Sequence, residues 1–315
     1  MITWIASYPR SGNTVIRLIL KEVFGLRTKS KYNDDKSVPW YDRMVELLGQ
    51  EPLEAGWPDA LPQLRESVEE HFVKTHDGPE TDDKCIYIVR EPCATAVSYW
   101  HFLRDIQCLD VSLIAVATGI SVPYGSWSDH FRSWNPLHRP RTLLVRFEDL
   151  LKDSAEIIAR LADFLERRPI GTWQGDITRL RAAVSPVFFR SGSNDANQAE
   201  MPPAVRRVLE SVCWREMNQL GYPFSYAGEE DKQVLESLVA VARKDAAYWR
   251  AIALNRQAEI ERLADACRER QELIDRLDAV CRERQAIIEE LDEECRRQRE
   301  AAKALASGDQ VPRVK

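Results

Sequence analysis

The chain has 315 residues, 44 % of them hydrophobic, enough apolar material for a folded core rather than a disordered chain. Its formal net charge of −6 argues against a general nucleic-acid binder, so an anionic ligand must meet a local basic cluster. Seven cysteines stand without a zinc spacing or a paired disulfide pattern, which points to reduced thiols in a cytoplasmic protein.

The N-terminus, Met1-Ile2-Thr3-Trp4-Ile5-Ala6, lacks the basic start and long apolar run of a signal peptide, and nothing along the chain is apolar enough for a membrane span. Ile2–Ala6 reads as a strand. Ser7-Tyr8-Pro9-Arg10-Ser11-Gly12-Asn13-Thr14 follows it. Val15, Ile16, Ile19, Leu20, Val23 and Phe24 then fall on one helical face, with Gly25 placed to stop the helix. A loop between a strand and a helix N-terminus offers free N–H groups and a favourable dipole to a phosphate. Arg10, Ser11, Gly12, Asn13 and Thr14 are the candidate ligands. The loop is not a Walker A sequence, because GxxxxGK[ST] is absent.

Thr28 to Glu70 is less regular, with Trp40, Tyr41 and Trp57 among Pro, Gly and charged residues. It reads as a surface insertion with short helices; an acceptor-binding lid is the alternative. Phe72–Thr75, Ile86–Arg90 and Thr142–Phe147 are further strands, and Ala155–Leu165 and Ala204–Leu220 are amphipathic helices. Alternation of strands and helices predicts an α/β, P-loop-like three-layer fold around a central parallel sheet. His76 lies just past a strand end and titrates near neutral pH, as a general base should. His101, His130 and His138 read as structural, and Glu148-Asp149 as a structural pair with Asp149 capping the next helix.

From Glu229 the composition changes. Gly and Pro vanish until Gly308, and Ala266-Cys267-Arg268-Glu269-Arg270-Gln271 returns as Val280-Cys281-Arg282-Glu283-Arg284-Gln285. A heptad frame sets Ile260, Cys267, Ile274, Cys281, Ile288, Cys295 and Ala302 at position a. It sets Leu263, Arg270, Leu277, Arg284, Leu291, Gln298 and Leu305 at d. The expected organisation is a domain over 1–228, a coiled-coil helix over 229–305 that joins copies of the chain, and a disordered tail over 306–315.

Four ordered segments resemble the sulfotransferases that use 3′-phosphoadenosine 5′-phosphosulfate (PAPS). The loop from Tyr8 to Thr14 is similar to their 5′-phosphosulfate loop. Lys74-Thr75-His76 resembles the segment with the family's catalytic histidine. Tyr87-Ile88-Val89-Arg90 through Ser98-Tyr99-Trp100 resembles the 3′-phosphate strand and helix, and Val145-Arg146-Phe147-Glu148-Asp149-Leu150 the RYEDL segment. The resemblance covers Met1 to about Phe224. It implies sulfuryl transfer from PAPS to an acceptor hydroxyl or amine, on a small molecule, glycan or peptide, with PAP as product. His76, Arg10 and Lys74 would be catalytic, and Arg10–Thr14, Arg90, Ser98, Arg190 and Gly192 would hold the nucleotide. No metal is implied. The chain departs from the family at Val15, often Trp; at Phe147, often Tyr; and at Phe188-Phe189-Arg190-Ser191-Gly192, the shortened remnant of RKGxxGDWK. The competing readings are a kinase-like P-loop protein and a PAP-binding scaffold without catalysis.

Overall fold

The structure is a computed structural model that describes residues 1–32, 41–57, 59–174, 194–224 and 232–306; in the last segment side chains are described at 241, 244 and 261–304. The chain divides into two compact units, Met1–Tyr248 and Trp249–Lys315.

The first unit is built on six strands in the order β3-β2-β4-β1-β5-β6: β1 Ile2–Ser7, β2 Thr28–Ser30, β3 Gln50–Glu51, β4 His71–Thr75, β5 Lys84–Val89 and β6 Thr142–Arg146. Every neighbouring pair is parallel. Parallel sheets are covered on both faces, so their central strands are apolar throughout. All six residues of β1 are accordingly buried. Side chains alternate across the sheet. Ile5, Ile86, Ile88 and Val145 pack with Ile16, Ile19 and Leu20 of helix α1 (Asn13–Phe24) and with Ile157 and Leu161 of α8 (Ser154–Leu165). Tyr87 faces the other way, edge-on to Phe131 and near Trp134 of α6 (Trp127–Trp134). Helices thus cover both faces, which gives the expected three layers.

Gly25 stops α1 in the left-handed region (φ 67°); its N–H bonds Lys21 O and the next N–H bonds Leu20 O, which satisfies the last carbonyls. The segment from Thr28 to Glu70 is more than a surface insertion. It supplies β2, β3, α2 (Tyr41–Leu48) and α3 (Ala60–Glu66), and so extends the sheet by two strands. Arg17 ties it to α1: Nε donates to Thr28 Oγ1 at 2.9 Å and Nη2 to Gln50 Oε1 at 2.7 Å, in a buried setting. Periodicity could not show this, because an arginine on a core-facing turn looks like an interruption.

Strand β6 ends at Arg146, one residue before the expected end, and Phe147 opens α7 (Phe147–Lys152). The cap of α8 is Asp153, whose side chain accepts from Glu156 N, and not Asp149. Helix α4 (Pro92–Asp105) starts with Pro at its first turn and Glu91 accepting from Cys93 N and Ala94 N. Four more helices complete the set among the described residues: α5 (Leu113–Thr118), α9 (Asn194–Ala199), α10 (Pro203–Leu220) and α11 (Lys232–Ala306). Gly221 ends α10 where the sequence placed it. Helix α11 is continuous over 75 residues. No helix among the described residues is long and apolar enough to cross a membrane.

Candidate active site

The chain runs from β1 out to the edge strand β3, returns to β4 beside β1, and then builds β5 and β6 on the other side. The carboxyl ends of the strands at such a reversal, here β4, β1 and β5, are the place where open α/β sheets take ligands. Three candidate segments meet there: the loop after β1, His76 after β4 and Arg90 after β5.

The loop is shaped by main-chain geometry. Arg10 has φ 67° and Gly12 has φ 109°, and Ser11 N donates to Tyr8 O. A Cβ at Gly12 would come within 2.5 Å of the Phe147 ring, so the loop and the start of α7 touch closely only because this residue has no side chain. Asn13 donates its amide inward, to Ile5 O at 3.0 Å and Ser7 Oγ at 3.3 Å, and anchors the loop to β1. Thr14 remains partly exposed at the start of α1. Ser11 Oγ is buried and finds no protein partner among the described residues. A buried hydroxyl left unpaired at a helix N-terminus fits an anionic ligand that would complete it.

Arg10 Nε donates to Ser98 Oγ at 3.3 Å, and its guanidinium lies 5.4 Å from the Phe102 ring centre. Arg90 Nη1 donates to Arg10 O at 3.4 Å. Three of the nine residues assigned to the nucleotide from the sequence, Arg10, Ser98 and Arg90, are therefore brought together. Arg90 is 5 % exposed and stacks 4.6 Å from the Phe147 ring centre, so it is no surface ion pair. Burial pushes its guanidinium down to about 10, against the opposing pull of Glu148 and Glu91. Arg190 and Gly192 lie outside the described residues.

What holds Arg90 was not visible in the sequence. Its Nε donates to Asn194 Oδ1 at 2.7 Å, and Asn194 Nδ2 donates to Glu148 Oε1 at 2.8 Å. Glu148 also accepts from Glu91 N at 2.9 Å and from the Tyr222 hydroxyl at 2.9 Å. This is the structural role expected of Glu148, with the added effect of orienting Arg90.

His76 Nδ1 is 2.7 Å from Ser7 O. A carbonyl oxygen only accepts, so Nδ1 carries the hydrogen and the neutral ring keeps its lone pair on Nε2. Burial, then the charge of Lys74, holds this imidazole well below the ordinary histidine range. Lys74 Nζ is 4.9 Å from the Tyr32 ring centre, and Tyr32 lies nearly parallel to His76, 15° between planes. Tyr124 meets His76 edge-on at 5.6 Å. Tyr124 has φ 69°, a strained setting for an aromatic residue. The Tyr8 hydroxyl donates to Gly125 O at 3.0 Å and the Tyr99 hydroxyl to Pro123 O at 3.1 Å, which hold the turn on either side of it. Of the remaining histidines, His130 is buried with Nδ1 at 2.8 Å from the Tyr87 hydroxyl, and burial lowers it to about 4. His101 lies between Asp105 and Glu200.

The architecture is that of a P-loop-like α/β protein, with a six-stranded parallel sheet covered by helices. A family profile described as "Sulfotransferase domain" matches residues 2–221, and the chain belongs to the sulfotransferase family. Mouse (Mus musculus) sulfotransferase 1E1 is 29 % identical over 183 residues, 52 % of this chain and 59 % of that protein. Flavonol 3-sulfotransferase from Flaveria bidentis is 29 % identical over 178 residues, 51 % of this chain and 55 % of that protein. The chain thus spans little more than half the length of these relatives. In fold it is similar to mouse sulfotransferase SULT7A1 complexed with PAP, at TM-score 0.52 and 21 % identity, covering 69 % of this chain and 84 % of that one.

Proposed function

We propose that the chain transfers a sulfuryl group from PAPS to a small-molecule hydroxyl or amine. The observation that carries this reading is the convergence of Arg10, Ser98 and Arg90 beside the loop, with His76 bonded to Ser7 O at the start of that loop. The loop N–H groups, Ser11 and Thr14 would hold the 5′-phosphosulfate, and Arg90 and Ser98 the 3′-phosphate. Arg190 and Gly192 are assigned to the same phosphate from the sequence. The donor supplies an activated sulfuryl group on a good leaving phosphate. Nε2 takes the acceptor proton as the acceptor atom bonds to sulfur and the sulfur–phosphate oxygen bond breaks. Lys74 and Arg10 would offset charge on the departing oxygen. Tyr32 and Tyr124 give the acceptor an aromatic wall beside the base.

PAP should raise the melting temperature of the protein. A ligand present at 100 times its Kd stabilises the folded state by about 2.7 kcal/mol. ATP, which lacks a 3′-phosphate, should do far less. Equal stabilisation by the two would favour a kinase-like protein, and PAP binding without sulfate transfer from labelled PAPS to any acceptor would favour a scaffold.

The organisation proposed with this activity is a catalytic domain over 1–228, a self-associating coiled coil over 229–305 and a tail over 306–315. Support comes from the apolar stripe of α11: Leu263, Ile274, Leu277, Ile288 and Leu291 are each 49–60 % exposed. A lone helix leaves that surface in water, and a second copy of the chain would bury it. All seven cysteines are free thiols, which suits the reducing cytoplasm.

A further inference from the structure

Tyr32 lies 44 residues before His76 in sequence, in the stretch that reads as a surface insertion, yet it touches three consecutive residues of the His76 segment. The main chain of His76 has just left strand β4, so its N–H has no place in the sheet ladder and must find a partner elsewhere. That partner is the Tyr32 hydroxyl, to which His76 N donates at 2.7 Å. The same hydroxyl is 3.4 Å from Thr75 Oγ1, which in turn accepts from Asp77 N at 3.1 Å. The Tyr32 ring runs nearly parallel to the imidazole at 6.0 Å, and the Lys74 ammonium sits against that ring. Tyr32 is itself placed by β2, which pairs with β4 up to Ser30↔Lys74.

We propose that Tyr32 is a positioning residue for His76: its hydroxyl fixes the main chain at position 76 and its ring fixes the plane of the imidazole, so that Nδ1 stays on Ser7 O and Nε2 stays turned to the acceptor. The proposal rests on the reading of His76 as the base. It separates two roles within one side chain. The hydroxyl can be removed without the ring in Tyr32→Phe, and both are removed in Tyr32→Leu.

The test uses the full chain with 15N-labelled histidine, the His76 signals being assigned by their loss in His76→Gln. The wild-type spectrum should show one tautomer, with hydrogen on Nδ1. Tyr32→Phe should show a mixture of tautomers, and Tyr32→Leu a larger share of the second. Sulfate release from labelled PAPS should fall about 10–100-fold in kcat, the scale of a slight misplacement of a reacting group, while PAP affinity measured by calorimetry stays within about twofold. A role in folding alone would lower the melting temperature and leave the tautomer unchanged; that result in both variants overturns the proposal. Failure of PAP to bind the wild-type protein would instead overturn the donor assignment, and the tautomer measurement would still decide the role of Tyr32.

Discussion

His76 and Ser7 are joined by a 2.7 Å hydrogen bond from a ring nitrogen to a main-chain oxygen. They stand at the carboxyl ends of neighbouring parallel strands, one residue past the Ala6↔Thr75 pair. The bond fixes the tautomer of the proposed base and ties it to the first residue of the phosphate-type loop. The loop after β1 and the proposed base after β4 thus start from two paired strands.

Replacing the base should separate chemistry from binding. His76→Ala is expected to lower turnover by about 10²–10⁴-fold, the usual worth of a general base. PAP affinity, which the proposal assigns to Arg90 and Ser98, should change little. Initial rates with labelled PAPS and calorimetric titration with PAP check the two halves. Wild-type turnover in the variant would place the base elsewhere.

The pH profile carries a second expectation. His76 and His130 both titrate below the ordinary value of about 6.5 when folded, chiefly because they are buried. As the pH falls below that value, the unfolded chain binds protons that the folded chain refuses. The stability contribution is thus fully present above about pH 6.5 and is lost as pH falls toward the folded values. For His130 the window ends at about 4, and the loss is on the order of 3 kcal/mol. Urea unfolding from pH 7.5 to 4.5 should show this slope, and His130→Gln should flatten it. For activity, the acid limb of kcat/KM for PAPS should fall well below pH 6.5, because the free enzyme keeps His76 neutral there. An acid limb at the ordinary histidine value would contradict the enclosed imidazole.

Gly12 offers a test of the loop that leaves the base untouched. An added Cβ meets the Phe147 ring at 2.5 Å on a backbone with φ 109°. Gly12→Ala should cost about 1–2 kcal/mol from the left-handed backbone alone, with the ring contact on top. The loop must shift to relieve it, so PAP affinity should drop at least tenfold. The double variant Gly12→Ala/Phe147→Ala should recover part of that loss. Unchanged PAP affinity in Gly12→Ala would show that the loop does not hold the nucleotide.

Much of this site was legible in the sequence because its residues follow strand ends. Apolar runs marked β1, β4, β5 and β6, and the polar residues just beyond them, Arg10, His76 and Arg90, had to meet at the edge of a parallel sheet. The two short strands β2 and β3 escaped notice: each has two or three residues and no alternation to read. The supporting partners escaped for a different reason. Asn194 reaches Arg90 across 104 positions and Tyr32 reaches His76 across 44, and no local pattern announces such pairs. Glu148 stood out as part of an acidic pair, but its three donors, Glu91 N, Asn194 and Tyr222, come from three separate segments.

Self-association through α11 is the remaining expectation. The helix has 75 residues, which at about 1.5 Å each span roughly 110 Å. Along 261–304 its side chains are exposed nearly throughout, including Leu273, Val280 and Ile287 on the flank of the a and d rows. Ile at a with Leu at d favours parallel pairs, and Arg270 and Arg284 at d reach outward along their apolar stems. Cys267, Cys281 and Cys295 are exposed free thiols, and all three occupy position a. In a parallel pair in register each faces its own copy across the seam, within the reach of a disulfide. Mild oxidation of the purified protein should therefore give a covalent dimer on a non-reducing gel. Truncation after Gly228 should abolish that dimer and leave PAP binding intact. In an antiparallel pair centred on Cys281 only that residue meets its own copy, so variants keeping one cysteine each distinguish the two arrangements. Cross-linking by Cys267 alone and by Cys295 alone supports the parallel pair. Sedimentation of the full chain as a monomer at micromolar concentration would rule out the coiled coil in either orientation.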